Sequence, residues 1–129
     1  MKAMIRMSSS SPLPTEEELL LVKEYAVLPV MLDILEGDSK LIGRSELKLS
    51  RLYSKQLKHI QGAVFERQLV VKKQLQRQHI RIITLKRTDV SLQVQYQCRG
   101  YQHSMELRWE IVYADIQLHL GHHLQLTME

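Results

Sequence analysis

Apolar positions along the chain follow three different periods. From Glu16 to Glu36 they crowd every face: Leu19, Leu20, Leu21, Val22, Tyr25, Ala26, Val27, Leu28, Val30, Met31, Leu32, Ile34 and Leu35. A helix this apolar around its circumference belongs at the centre of a fold. Thr15 and Glu18 have the spacing of a capping box, in which hydroxyl and carboxylate satisfy each other's free amides. Pro29 lacks an amide hydrogen and crowds the Tyr25 carbonyl, so the pattern predicts a kink there, or two short helices. Gly37 is the expected C-cap, followed over 38–49 by a short helical turn and a loop.

Between Ser50 and Gln78 the apolar residues fall on one stripe. Tyr53, Leu57, Ile60, Val64, Val71 and Leu75 recur at steps of three and four, with Gln68 as one polar gap. A second, long helix follows from this. Gly62 lies inside it and costs about 1 kcal/mol relative to alanine, so a break at Gly62 is the alternative. The period then drops to two. Leu92, Val94, Tyr96 and Cys98 alternate with Gln93, Gln95 and Gln97, the mark of a strand with one wet face. Ile80 to Lys86 is its partner and Arg87, Thr88 and Asp89 the turn, which makes a hairpin that must lie on the helices. Gly100 closes the strand. Met105, Trp109, Val112 and Ile116 then place a last helix over about 104–119, with Gly121 near its end.

The expected fold is α+β: a kinked N-terminal helix, a long basic helix, a two-stranded antiparallel hairpin and a C-terminal helix. A flexible tail over 1–14, rich in serine and proline, precedes one domain over 15–129. The expected core is Leu20, Val27, Met31, Leu35, Leu57, Ile60, Val64, Leu92, Val94, Tyr96, Trp109, Val112 and Ile116.

Composition narrows the class. The 129 residues suit one domain, and 44% hydrophobic with 25% charged is ordinary for a soluble globule. Collagen, a disulfide scaffold and a polytopic membrane protein are excluded. The single cysteine suits a reducing cytosol, and the first residues lack the apolar run of a secretory signal. Lys23, Glu24, Pro29 and Asp33 interrupt the most apolar window, so no membrane span is expected. A cytoplasmic location follows.

Net charge is +4, but its distribution is uneven. Residues 44–99 carry 13 Lys/Arg against 3 Asp/Glu, whereas 1–43 carry 4 against 7 and 100–129 carry 1 against 4. A basic middle between acidic ends suits packing of one against the other, within a monomer or across a dimer. It also suits nucleic acid, for which Lys72, Lys73, Arg77, Lys86 and Arg87 are the candidate contacts.

Two constellations bear on chemistry. Asp115, His119 and His123 are spaced four apart with His122 adjacent, a ligand-like pattern that Gly121 interrupts and that lacks a fourth member. Surface histidines favoured by a helix C-terminus account for it, and no metal is expected. Cys98, Arg99, Gly100, Tyr101 and His103 gather a thiol, a cation and an imidazole. An inward-facing cysteine on a strand is more simply a small core residue. No catalytic or cofactor-binding residue is assigned, and no enzyme or cofactor is expected.

The functional expectation is a non-enzymatic homo-oligomeric interaction module, because apolar helical surface exceeds what one hairpin and two helices cover. The alternative is a winged-helix DNA-binding transcriptional regulator. It needs a helix-turn-helix broken at Gly62, and Gln61, Gln68 and Lys58 do not suit that alignment.

Leu47-Lys48-Leu49 with Tyr53, the basic long helix, and Cys98-Arg99-Gly100-Tyr101 ahead of the last helix resemble the small YhjD-like proteins of Bacillus and its relatives. The likeness spans about residues 16–120. That family brings no assigned activity, so the resemblance implies a cytoplasmic protein and transfers no site.

Overall fold

The computed structural model describes residues 13–124; the expected tail over 1–14 lies outside them apart from Leu13 and Pro14. Helix α1 runs Glu16–Gly43, α2 Ser50–Arg77, strand β1 Ile80–Arg87, β2 Ser91–Cys98, β3 Tyr101–Arg108, and α3 Trp109–His123.

The N-terminus of α1 forms as its sequence dictates. Thr15 Oγ1 accepts from the Glu18 amide at 3.1 Å, and Glu18 Oε1 accepts from the Thr15 amide at 2.9 Å. Glu16, Glu17 and Glu18 all lie in the first turn, where the helix dipole favours negative charge. Beyond it, two expectations fail. The helix passes Pro29 as one element, and it does not stop at Gly37 but continues to Gly43. The hydrogen bond lost at Pro29 is outweighed by burial on either side, where Ala26, Val27, Leu28, Val30 and Met31 are all in the core. Past Gly37 the helix is held by α2: the Ser39 and Ser54 hydroxyls lie 2.9 Å apart, and Ser54 Oγ donates to the Ser39 carbonyl at 3.0 Å.

Helix α2 is unbroken at Gly62 and lies antiparallel to α1. Glu24 pairs with Arg67, Gln61 donates to Glu36 at 3.0 Å, and Ser39 meets Ser54. Its buried residues are Ile60, Val64, Val71 and Leu75; of the expected stripe, Leu57 is half-buried and Tyr53 is exposed.

The sheet has three strands and not two. All pairs are antiparallel in the order β1-β2-β3, and the expected helix over 104–119 begins only at Trp109. Arg99 and Gly100, with φ of 52° and 90°, make a two-residue turn that returns the chain as β3 along β2, pairing Cys98 with Tyr101 and Leu92 with Leu107. His103, Met105 and Leu107 point inward at period two, a pattern hidden by the helical spacing of Met105 with Trp109. A bulge at Ile83 shifts the β1–β2 register between Ile82 and Thr84.

One sheet face is polar, centred on Gln93, Gln95 and Gln97. The other buries Leu92, Val94, Tyr96 and Cys98 against the helices. Helix α1 crosses this face centrally. Adjacent residues index its neighbours, Lys23 reaching Asp115 of α3 at 3.5 Å and Glu24 reaching Arg67 of α2. The core follows the expected list with exceptions: Leu20 is 59% exposed, while Leu57 and Trp109 are half-buried at the core's edge. Leu20 faces a groove beside Glu24 and Arg67.

Gly37 and Gly62 both sit inside helices with open space where a Cβ would go. Gly37→Ala and Gly62→Ala should therefore each stabilise the protein by about 1 kcal/mol in urea denaturation. A break at either position would give a loss instead.

Candidate functional site

A buried polar cluster lies where the first turn of α1 meets the β2–β3 turn. Glu18 is only 5% exposed. Arg99 grips it from both guanidinium amino groups, Nη1 to Oε2 at 2.7 Å and Nη2 to Oε1 at 3.1 Å. Cys98 Sγ lies 3.8 Å from Oε1 as a weak donor. The Arg99 amide donates to the His79 carbonyl at 3.0 Å, tying this turn to the α2–β1 junction. His79 is itself left-handed, with φ 58°. Two non-glycine residues in that region mark a corner held by its surroundings, since each costs of order 1 kcal/mol or more.

The electrostatics describe a clasp. The Arg99 hydrogen bond is the main reason the Glu18 carboxyl sits below its ordinary value of 4.5; burial opposes it, and the Thr15 cap assists. Burial, with Glu18 beside it, pushes the Cys98 thiol up. A fully buried, protonated thiol is a poor nucleophile, so the chemistry weighed for Cys98 finds no support in its environment. Burial likewise raises Tyr96, whose ring stacks on His103 at 5.6 Å. Tyr101 lies exposed at the sheet's end, opposite Cys98. Glu18 was legible in the sequence only as a cap. Its pairing with a residue 81 positions on was not.

The candidate nucleic-acid residues do not converge. Lys72, Lys73 and Arg77 are exposed on the last turns of α2, next to the start of β1. Lys86 and Arg87 lie at the other end of β1, roughly 23 Å away along the strand. Arg87 Nη2 is engaged by Asp33 at 2.8 Å. Of the histidine pattern, Asp115 pairs with Lys23, and His119, His122 and His123 are exposed on α3. Among the described residues no group of acidic, histidine or cysteine side chains is arranged to hold a metal ion. Among them, too, no helix is long and apolar enough to cross a membrane.

A second feature is apolar. Where α1 and α2 meet, Leu41, Leu47, Leu49, Leu52 and Tyr53 are all exposed, Leu41 to 68%. The loop between the helices turns back on Ser45, whose Oγ donates to the Ile42 carbonyl at 2.7 Å. The α2 N-cap is Leu49, which offers no side-chain acceptor, and the first turn holds no acid. Five large apolar side chains within 13 positions, on a poorly capped corner, stand outside the core.

Family comparison adds one identification. Residues 13–128 match the model of the YhjD protein family, and the chain belongs to that family. No curated protein and no solved structure matches it.

Two outcomes follow from the clasp. Arg99→Ala leaves a buried carboxylate unpaired and should destabilise the fold by about 3 kcal/mol in urea denaturation. Because Glu18 is depressed in the folded state, its contribution is full above the unfolded value of 4.5 and is lost as pH falls through the lower folded value. Stability of the wild type should therefore fall in acid, measured as Tm against pH, and the Arg99→Ala variant should show a shallower fall.

Proposed function

We propose that this protein is a non-enzymatic, cytoplasmic module that works by associating with copies of itself. The observation that carries the reading is the group Leu41, Leu47, Leu49, Leu52 and Tyr53, exposed together at the corner between α1 and α2. Clustered apolar surface of this kind marks an interaction site, whereas single exposed leucines do not. The cluster at the β2–β3 turn is consistent with a non-catalytic role. Glu18 is taken up by Arg99 and the helix cap, and Cys98 is buried and protonated.

The winged-helix reading gains nothing from the geometry. It requires two helices meeting at Gly62, and α2 is one helix there.

Sedimentation equilibrium at micromolar concentration is the test. Reversible association of the full chain is expected, and a clean monomer would overturn the reading. Duplex DNA titrated at low salt should yield no complex of the steeply salt-dependent kind that groove and phosphate contacts produce.

A further inference from the structure

The sheet has two edges, and they are built differently. Along β1 the bulge at Ile83 interrupts the pairing with β2, and Arg81, Lys86 and Arg87 line the strand. Bulges and cations guard an edge against the addition of another strand. Strand β3 has no bulge, lysine or proline, and its 8 residues keep an unbroken register with β2 from Tyr101 to Arg108. The two-residue turn makes Cys98 and Tyr101 a pair that exchanges both hydrogen bonds, so Tyr101, His103, Met105 and Leu107 bond back to β2. The N–H and C=O groups of Gln102, Ser104 and Glu106 point the other way, off the edge. Among the described residues no main-chain group pairs with them there. All three residues are exposed.

We propose that β3 of a second copy of this chain pairs antiparallel with this edge, about a two-fold axis at Ser104, so that the two three-stranded sheets become one. The inference rests on the self-association reading above and adds to it a surface apart from the leucine corner. In this register Ser104 faces its own copy and Gln102 faces Glu106 of the other chain, which closes about six main-chain hydrogen bonds. A two-fold contact of this kind satisfies both edges at once. A one-residue slip would set the buried face of one sheet beside the polar face of the other.

The charges on β3 and its flanks fit this register. Glu106, which accepts from Ser91 Oγ at 2.7 Å, stands opposite the neutral Gln102 and about 14 Å along the ladder from its own copy. Arg108, paired with Glu110 at 3.7 Å, comes opposite Gly100. Arg99 in the adjoining turn is committed to Glu18. On the inner face His103 comes opposite Met105, and Tyr101, 55% exposed, is laid over Leu107. Strand β1 offers no such match: paired with itself it would set Arg81 of each copy against Lys86 and Arg87 of the other, like charges across a ladder. Helix α3 favours a whole copy over an isolated strand as the occupant. It leaves the end of β3 and packs with Val112 and Ile116 in the core, while Ile111, Tyr113 and Leu118 are at least half exposed. A sheet carried on through β3 brings a second α3 onto the same face, whereas an added peptide strand would leave these side chains bare.

Three measurements on the full chain decide it. Ser104→Cys chains should form a disulfide-linked pair under mild oxidation, because facing residues of such a pair have Cα atoms about 5.5 Å apart. Gln102→Cys chains should cross-link to Glu106→Cys chains and not to themselves, with Cys98 shielded by burial. In hydrogen exchange, the amides of Gln102, Ser104 and Glu106 should be protected at high protein concentration and lose that protection on dilution. In sedimentation equilibrium, Ser104→Pro removes an edge donor but no bond to β2, and should weaken the pair at least about tenfold. Ser104→Lys sets two ammonium groups across the axis and should do the same. It carries the test if circular dichroism shows that the proline variant does not fold.

A wild-type monomer would overturn both this proposal and the reading beneath it. Association that survives both Ser104 changes and gives no Ser104→Cys cross-link would overturn the proposal alone; its loss on Leu47→Glu with Leu49→Glu would then place it at the α1–α2 corner. Edge amides that stay protected at every dilution would also overturn the proposal, since a segment of the same chain would then cover them.

Discussion

Everything in this fold is arranged to cover one helix. Helix α1 is apolar on nearly every side, and an uncovered leucine or valine side chain forgoes roughly 1.5–3 kcal/mol. No single neighbour can cover such a cylinder. Helix α2 takes one side, α3 another, and the inner face of the sheet a third, and the core cluster draws residues from all four elements. The polar residues of α1 fall at the seams between its neighbours. Glu18, Lys23, Glu24 and Asp33 each reach a different element, so they fix the rotation of α1 more than they add stability. Exposed pairs of this kind contribute little energy; the buried Glu18–Arg99 pair is the exception, because either partner alone would be stranded.

That pair also explains an otherwise poor residue choice. A two-residue hairpin turn with both positions at positive φ favours asparagine or glycine, yet arginine holds the first position. The side chain compensates for the backbone. From the turn it reaches the first turn of α1 and locks the start of the central helix to the end of the central strand. Burial, with the Glu18 carboxylate adding to it, pushes both Cys98 and Tyr96 up, while Arg99 acts against this at Cys98. A cysteine flanked by arginine reads in sequence as an activated thiol. Here the arginine is committed to the carboxylate, and the carboxylate next to the sulfur disfavours the thiolate. The simpler expectation, a small inward-facing core residue, is the one the structure has.

Legibility varied with how local the deciding force was. The Thr15–Glu18 cap and the stripe of α2 depend on neighbours three or four residues away; the cap formed as the pattern required, and the stripe is buried at Ile60, Val64, Val71 and Leu75. The end of α1 depends on Ser54 and on α2, so glycine at 37 was misleading: a glycine followed by a polar pair looks like a stop only until a neighbouring helix supports the next turns. Strand β3 was lost for a related reason. Its inward residues are His103, Met105 and Leu107, a thin alternation, and Met105 also fits the helical spacing of the segment after it. The signal was nevertheless present in Arg99-Gly100 directly after a clear strand, since a two-residue turn ending in glycine sends the chain back antiparallel.

The sequence by itself determined the α+β class, the two long helices, the central strand, most of the core and the membership of the YhjD family, because periodicity and caps act over a few residues. Only the tertiary structure decided that α1 continues past Gly37 to Gly43, that β3 completes the sheet, and that Glu18, Cys98 and Arg99 meet. These outcomes depend on which surfaces compete for the same cover, and a linear pattern records which residues need burial without recording what buries them.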